Sequence, residues 1–74
     1  MDTVRIEQNA DKTFAWALQR TFSREEAEEL SQEILFRALK SLPELHDDSK
    51  FNAWFWRLAE ITLKVFRRGK AKER

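Results

Sequence analysis

The residues best equipped for chemistry in this chain are aromatic and cationic, and they adjoin. Phe51-Asn52-Ala53-Trp54-Phe55-Trp56-Arg57-Leu58-Ala59 runs directly into Lys64, Arg67, Arg68, Lys70, Lys72 and Arg74. Aromatic faces stack on unpaired bases and cationic side chains neutralise phosphate, so the combination suggests contact with nucleic acid. The groups that catalysis requires are missing. Nucleophilic chemistry needs a Cys, or a Ser with a base held by a third group, but the chain has no Cys and its one His, His46, falls in a loop. A lone His beside Asp47 and Asp48 does not make a zinc site, and there is no Gly-rich loop to cradle phosphate. The acidic run Glu25, Glu26, Glu28, Glu29 and Glu33 follows a helix start, where carboxylates stabilise the helix dipole and stay solvated. The expectation is a binding protein with no catalytic residue, no metal and no cofactor.

Those residues must be positioned by helices. Asn9 or Asp11 can cap a first helix that carries Phe14, Ala17, Leu18 and Thr21 on one stripe with Trp16 pointing elsewhere, while residues 1 to 8 show no clear period. Ser23-Arg24-Glu25-Glu26 has the S-x-x-E pattern of a capping box, so a second helix starts near Arg24. Along it Ala27, Leu30, Ile34, Ala38 and Leu42 recur every three or four residues, the core stripe of an amphipathic helix. Pro43 ends it around Ser41 or Leu42 and releases a polar loop, Glu44 to Lys50. Asp48 or Ser49 can cap a third helix, expected from about Lys50 to Arg68 with Gly69 as its stop and residues 70 to 74 as a frayed basic tail. Phe51, Trp54, Phe55, Leu58, Ala59, Thr62 and Phe66 form its broad apolar stripe. Trp56, Ile61, Leu63 and Val65 lie outside the centre of that stripe.

Seventy-four residues bound the answer to one domain, 1–74, and nine aromatics with one Gly and one Pro favour long helices over turns. The fold class expected is all-α, a small three-helix bundle. Absence of Cys fits a reducing, cytoplasmic setting, and neither a membrane span nor a secretory signal is visible. The net charge of +1 hides a polarity: residues 1 to 37 hold five Lys/Arg and eight Asp/Glu, a balance of −3, and residues 38 to 74 hold nine and five, a balance of +4. Such asymmetry suggests an acidic face for one partner and a basic face for another.

Glu29-Leu30-Ser31-Gln32-Glu33-Ile34-Leu35-Phe36-Arg37-Ala38-Leu39, then a short loop, then Phe51 to Ala59 and a basic end, resemble region 2 of bacterial sigma factors, most nearly the extracytoplasmic-function subgroup. The resemblance covers roughly residues 10 to 70. It implies a helical domain that docks on core RNA polymerase, through the clamp helices of the largest subunit, and helps to recognise and melt the promoter minus-ten element. Carried over, the docking residues are Glu29, Gln32, Glu33, Phe36 and Leu39. Melted non-template DNA would meet His46, Asp48, Ser49 and Lys50 of the loop, with Trp56 as a stacking surface and Arg57, Lys64, Arg67 and Arg68 on phosphates. Trp54 belongs instead to the core. An anti-sigma protein would cover the same surfaces.

Two departures stand out. Family members commonly carry Asn where this chain has Ile61 and Asp where it has Val65, and Ile61 cannot make the hydrogen bond of an Asn. The usual C-terminal helix-turn-helix domain is also outside the resemblance, which suggests an excised or truncated relative. The competing expectation is a sigma-like helical module that binds polymerase or a regulator, or associates with itself, without reading DNA.

Overall fold

A computed structural model describes residues 3–73, with side chains described through Lys70. Among these residues the structure is all-α. Helix α1 spans Val4–Gln8, α2 Ala10–Leu18, α3 Arg24–Ser41 and α4 Phe51–Glu73, with short 3-10 turns at Leu42–Glu44 and Asp48–Lys50. The first of the three expected helices is α2, and directly ahead of it lies one more, α1. Asn9 divides them: its side-chain amide donates to the Arg5 carbonyl at 2.8 Å, and an Asn that bonds its own backbone in this way interrupts a helix. Asn9 occupies the position expected of a cap but makes no side-chain capping bond.

Helix α3 is the centre of the assembly, packing against α1, α2 and α4. It forms as its sequence requires. The Ser23 hydroxyl accepts from the Glu26 amide at 3.1 Å, while the Glu26 carboxylate accepts from the Phe22 amide at 3.0 Å, so the reciprocal arm of the capping box reaches one residue further back. Pro43 converts the end of α3 into a 3-10 turn. Ala27, Leu30, Ile34, Ala38 and Leu42 are all buried, together with Phe51, Phe55, Ala59 and Leu63 of α4 and Ile6 of α1.

Helices α3 and α4 run antiparallel, with Glu29 accepting from Lys70 at 3.0 Å near one end. At about 1.5 Å per residue, the 23 residues of α4 reach roughly 34 Å. That accounts for most of the 40 Å long axis.

The structure corrects four details of the sequence reading. Leu18 is 44% exposed, whereas Thr13 is fully buried. The Thr13 hydroxyl donates to the Asn9 carbonyl at 2.7 Å, which removes the cost of burying it. Trp16 faces inward against the core, its ring 5.9 Å from that of Trp56. Leu63, placed off the stripe of α4, is 5% exposed and lies in the core. Finally, α4 continues through Gly69 to Glu73. Gly69 does not take the positive φ of a helix-ending glycine, and Lys, Ala and Glu beyond it are good helix formers. Arg74 lies outside the described residues, as does the side chain of Lys72.

Candidate functional site

Three groups of candidate residues are arranged around α3 and α4. The first is the solvent face of α3. Residues three and four apart share a helix face, so burying Leu30, Ile34 and Ala38 turns Glu29, Gln32, Glu33, Phe36 and Leu39 outward. All five are exposed, with Phe36 at 58% and Leu39 at 44%. Polar groups frame the apolar pair. Glu33 accepts from Arg37 Nε at 2.9 Å, and Lys40 Nζ stands 5.6 Å from the centre of the Phe36 ring. Two large exposed apolar side chains within a charged rim have the anatomy of a protein interface.

The second group is the loop ahead of α4, where His46, Asp48, Ser49 and Lys50 are all exposed. Asp47 caps the 3-10 turn there, and Asp48 and Ser49, expected to cap the third helix, lie inside that turn. The Asp47 carboxylate accepts from the Ser49 hydroxyl at 2.7 Å and from the Ser49 amide at 3.0 Å. Those two bonds, the hydroxyl first, hold the Asp47 carboxyl below its ordinary range.

Arg5 completes the support of this loop. Its guanidinium donates to the Asp48 carbonyl at 3.3 Å and lies over the Phe51 ring at 4.3 Å. Helix α1 therefore holds the loop against the start of α4. Sequence reasoning gave neither Asp47 nor Arg5 a role. The Asp-x-Ser spacing of 47 and 49 is a signal that could have identified the first, but a contact across 43 residues has none.

The third group, the basic residues of α4, divides. Arg57, Lys64 and Arg68 are exposed and, at intervals of seven and four, fall on one face of the helix. Ile61 at 46% exposure and Val65 at 45% lie beside them. Trp56 turns instead toward α2, and Arg67, itself exposed, toward the α2–α3 turn. Trp56 is half-buried between Trp16 and Phe55, whose ring meets it edge-on at 5.2 Å. Arg67 donates to the Arg20 carbonyl at 3.5 Å. Trp54 packs at 5.5 Å from Phe51 and is half-buried, as its spacing suggested.

Between the acidic face of α3 and the basic face of α4 runs a shallow groove of about 340 Å³, bordered by Glu29, Glu33 and Arg37 on one side and Val65 and Phe66 on the other. The arrangement can therefore offer one partner an acidic and apolar surface and another a cationic stripe, with a polar loop at the end of that stripe. Among the described residues no group of three or more His, Cys, Asp or Glu could hold a metal ion, and no helix is long and apolar enough to cross a membrane.

Comparison with known proteins identifies a family. The family model described as Sigma-70 region 2 matches residues 5–73, a span that takes in α1 as well as the segment that carries the resemblance. No curated protein and no solved structure matches the chain.

Proposed function

Since the chain belongs to the sigma-70 region 2 family, whose role lies in transcription initiation through core RNA polymerase and promoter DNA, we propose a specific division of that work between α3 and the loop–α4 unit. Helix α3 docks on the clamp helices of the largest polymerase subunit through Glu29, Gln32, Glu33, Phe36 and Leu39. The loop of His46, Asp48, Ser49 and Lys50 receives bases of the melted non-template strand at the minus-ten element. Arg57, Lys64 and Arg68 hold its phosphates. The family is not an enzyme family, and the domain contributes positioning and strand capture while polymerase makes the phosphodiester bond.

The observation that carries this reading is the separation of faces on α3: a stripe buried to 0% at Leu30, Ile34 and Ala38 stands opposite exposed Phe36 and Leu39. Apolar side chains kept out of an available core are poised for a partner. On α4 the cationic stripe supports phosphate contact, which needs no particular base. Ile61 and Val65 offer no hydrogen bond to a base edge, so base recognition falls to the loop rather than to the middle of α4. Trp56, half-buried between Trp16 and Phe55, has only part of its ring left for an incoming base. The domain acts in the cytoplasm, and an anti-sigma protein covering α3 would compete with polymerase.

Affinity for core polymerase tests the docking half. Replacing Gln32 and Glu33 together by Ala, both exposed and off the core, should weaken binding about tenfold or more while leaving the thermal transition in place, a loss of about 1.4 kcal/mol. Unchanged affinity would remove α3 as the docking helix.

A further inference from the structure

The α2–α3 turn and the far end of α4 enclose a cleft of about 310 Å³. Arg20, Phe22, Glu26, Phe66, Arg67 and Lys70 line it. It is the counterpart, at the other end of α4, of the loop described above: from Phe51 to Phe66 the helix rises roughly 22 Å. We propose that this cleft is a second nucleic-acid contact, in which a single-stranded base stacks on Phe22 and its phosphate is held by Arg67 with Arg20 and Lys70. The proposal rests on the nucleic-acid reading of the domain and adds to it a site outside the loop and the α4 stripe.

Three observations converge. First, Phe22 is 87% exposed, the most exposed of the large apolar side chains, although it lies in a tight turn beside the core. So exposed a phenyl ring leaves surface on which a base can stack, and the residue's backbone is tied by the bond from its amide to Glu26 at 3.0 Å. Second, the lining is cationic: three basic residues stand against the one carboxylate of Glu26, which already accepts the Phe22 amide. Arg67 donates to the Arg20 carbonyl at 3.5 Å, a long bond that a charged phosphate acceptor would readily replace. Lys70 pairs with Glu29 and lies 5.4 Å from the centre of the Phe66 ring. Third, the volume sits at the lower end of the ~300–1,000 Å³ of small-ligand sites, room for one base rather than a helix. An aromatic platform with cations beside it is the combination that binds single strands without sequence preference.

Distance makes the site useful. A strand contacting both the loop and the cleft must span roughly 22 Å. Arg57 and Lys64 occupy the helix between them.

The test uses fluorescence anisotropy of a labelled oligodeoxyadenylate with the whole protein at low salt. Phe22→Ala and Phe22→Leu should each weaken binding at least fivefold, Phe22→Trp should retain it, and Arg67→Gln should lower the salt slope by about one. Because Phe22 is exposed, none of its substitutions should alter the unfolding transition. Unchanged binding in Phe22→Ala, Leu serving as well as Phe, or failure of the unmodified protein to bind the strand would each overturn the proposal. So would a loss confined to polymerase affinity, which would make Phe22 a protein contact. Lys50→Ala separates the two readings. If it weakens binding while Phe22→Ala does not, the cleft fails and the loop assignment stands; the reverse keeps the cleft and removes the loop.

Discussion

Ile34 and Phe36 are two residues apart on α3 and should respond to truncation in opposite ways. Ile34 is fully buried and Phe36 is 58% exposed. Ile34→Ala removes three carbons at about 0.8 kcal/mol each and leaves a cavity that the packed neighbours Leu30 and Ala38 only partly close, for a loss of about 2.5–4 kcal/mol. A chain of this length has on the order of 4–11 kcal/mol to lose. With a urea slope of roughly 1 kcal/mol/M for so small a protein, the midpoint should fall by about 2.5–4 M. Phe36→Ala removes no core contact, only surface ones such as that with Lys40, and places a better helix former on an exposed face, so its midpoint should move by less than the equivalent of about 0.5 kcal/mol. Its effect should appear in docking instead. The exposed part of the residue is on the order of 100 Å², worth at most ~2.5 kcal/mol if covered, and about 1–2 kcal/mol after the surface that Ala retains is subtracted. That corresponds to roughly 5- to 30-fold in affinity for core polymerase. Trp fluorescence in urea reads the first quantity, since Trp16, Trp54 and Trp56 all pack against the core. A Phe36→Ala protein that unfolds as early as Ile34→Ala would refute the assignment of faces, and one that is stable but docks normally would refute the assignment of function.

Other substitutions probe the elements separately. Gly69→Ala should raise stability by about 0.5–1 kcal/mol, because Gly69 lies inside α4 without a positive φ and a Cβ there meets nothing within 4 Å; a fall in the melting temperature would mean that the helix ends at Gly69. Ser23→Ala should cost about 1 kcal/mol by leaving the Glu26 amide without its cap, and Ser23→Asp should restore most of it. Asp47 carries a pH prediction. Its folded-state carboxyl titrates below the ordinary value of 3.8, so its support of the loop is complete above that value and is lost as pH falls through the lower, folded-state value. Protection of the Ser49 amide against hydrogen exchange, relative to its intrinsic rate, should decline in that acid range and stay level in Asp47→Asn; level protection in the unmodified protein would count against the cap.

Legibility in the sequence followed the length and regularity of each element. Helix α3 was readable because its signals agree: a capping box at Ser23, five core positions from Ala27 to Leu42, and Pro43 at its end. Helix α1 was not, since five residues make little more than one turn and only Ile6 among them is buried. Thr13 escaped because hydrophobic patterning gives no weight to a hydroxyl, although bonding to the Asn9 carbonyl lets it fill a core position. Position within one helix also says nothing about what the next helix offers. Trp16 and Trp56 find one another across the bundle, and Arg5 reaches Asp48 and Phe51 across most of the chain. The α3 residues proposed for docking stand together on one exposed face, while the α4 residues proposed for DNA separate into a stripe of 57, 64 and 68 and a second angle, shared by Trp56 and Arg67, that looks toward α2 and the α2–α3 turn.

On the proposed function, this domain makes polymerase sensitive to the non-template strand. Selection from a pool of bubble templates, randomised in the unpaired non-template strand and captured by core polymerase with and without the domain, tests it most directly. Enrichment of a common sequence only when both proteins are present, reduced by Lys50→Ala and by loss of docking in the Gln32 and Glu33 double substitution, is the predicted result. Captured sequences that remain random, or that are the same with core polymerase alone, would contradict it.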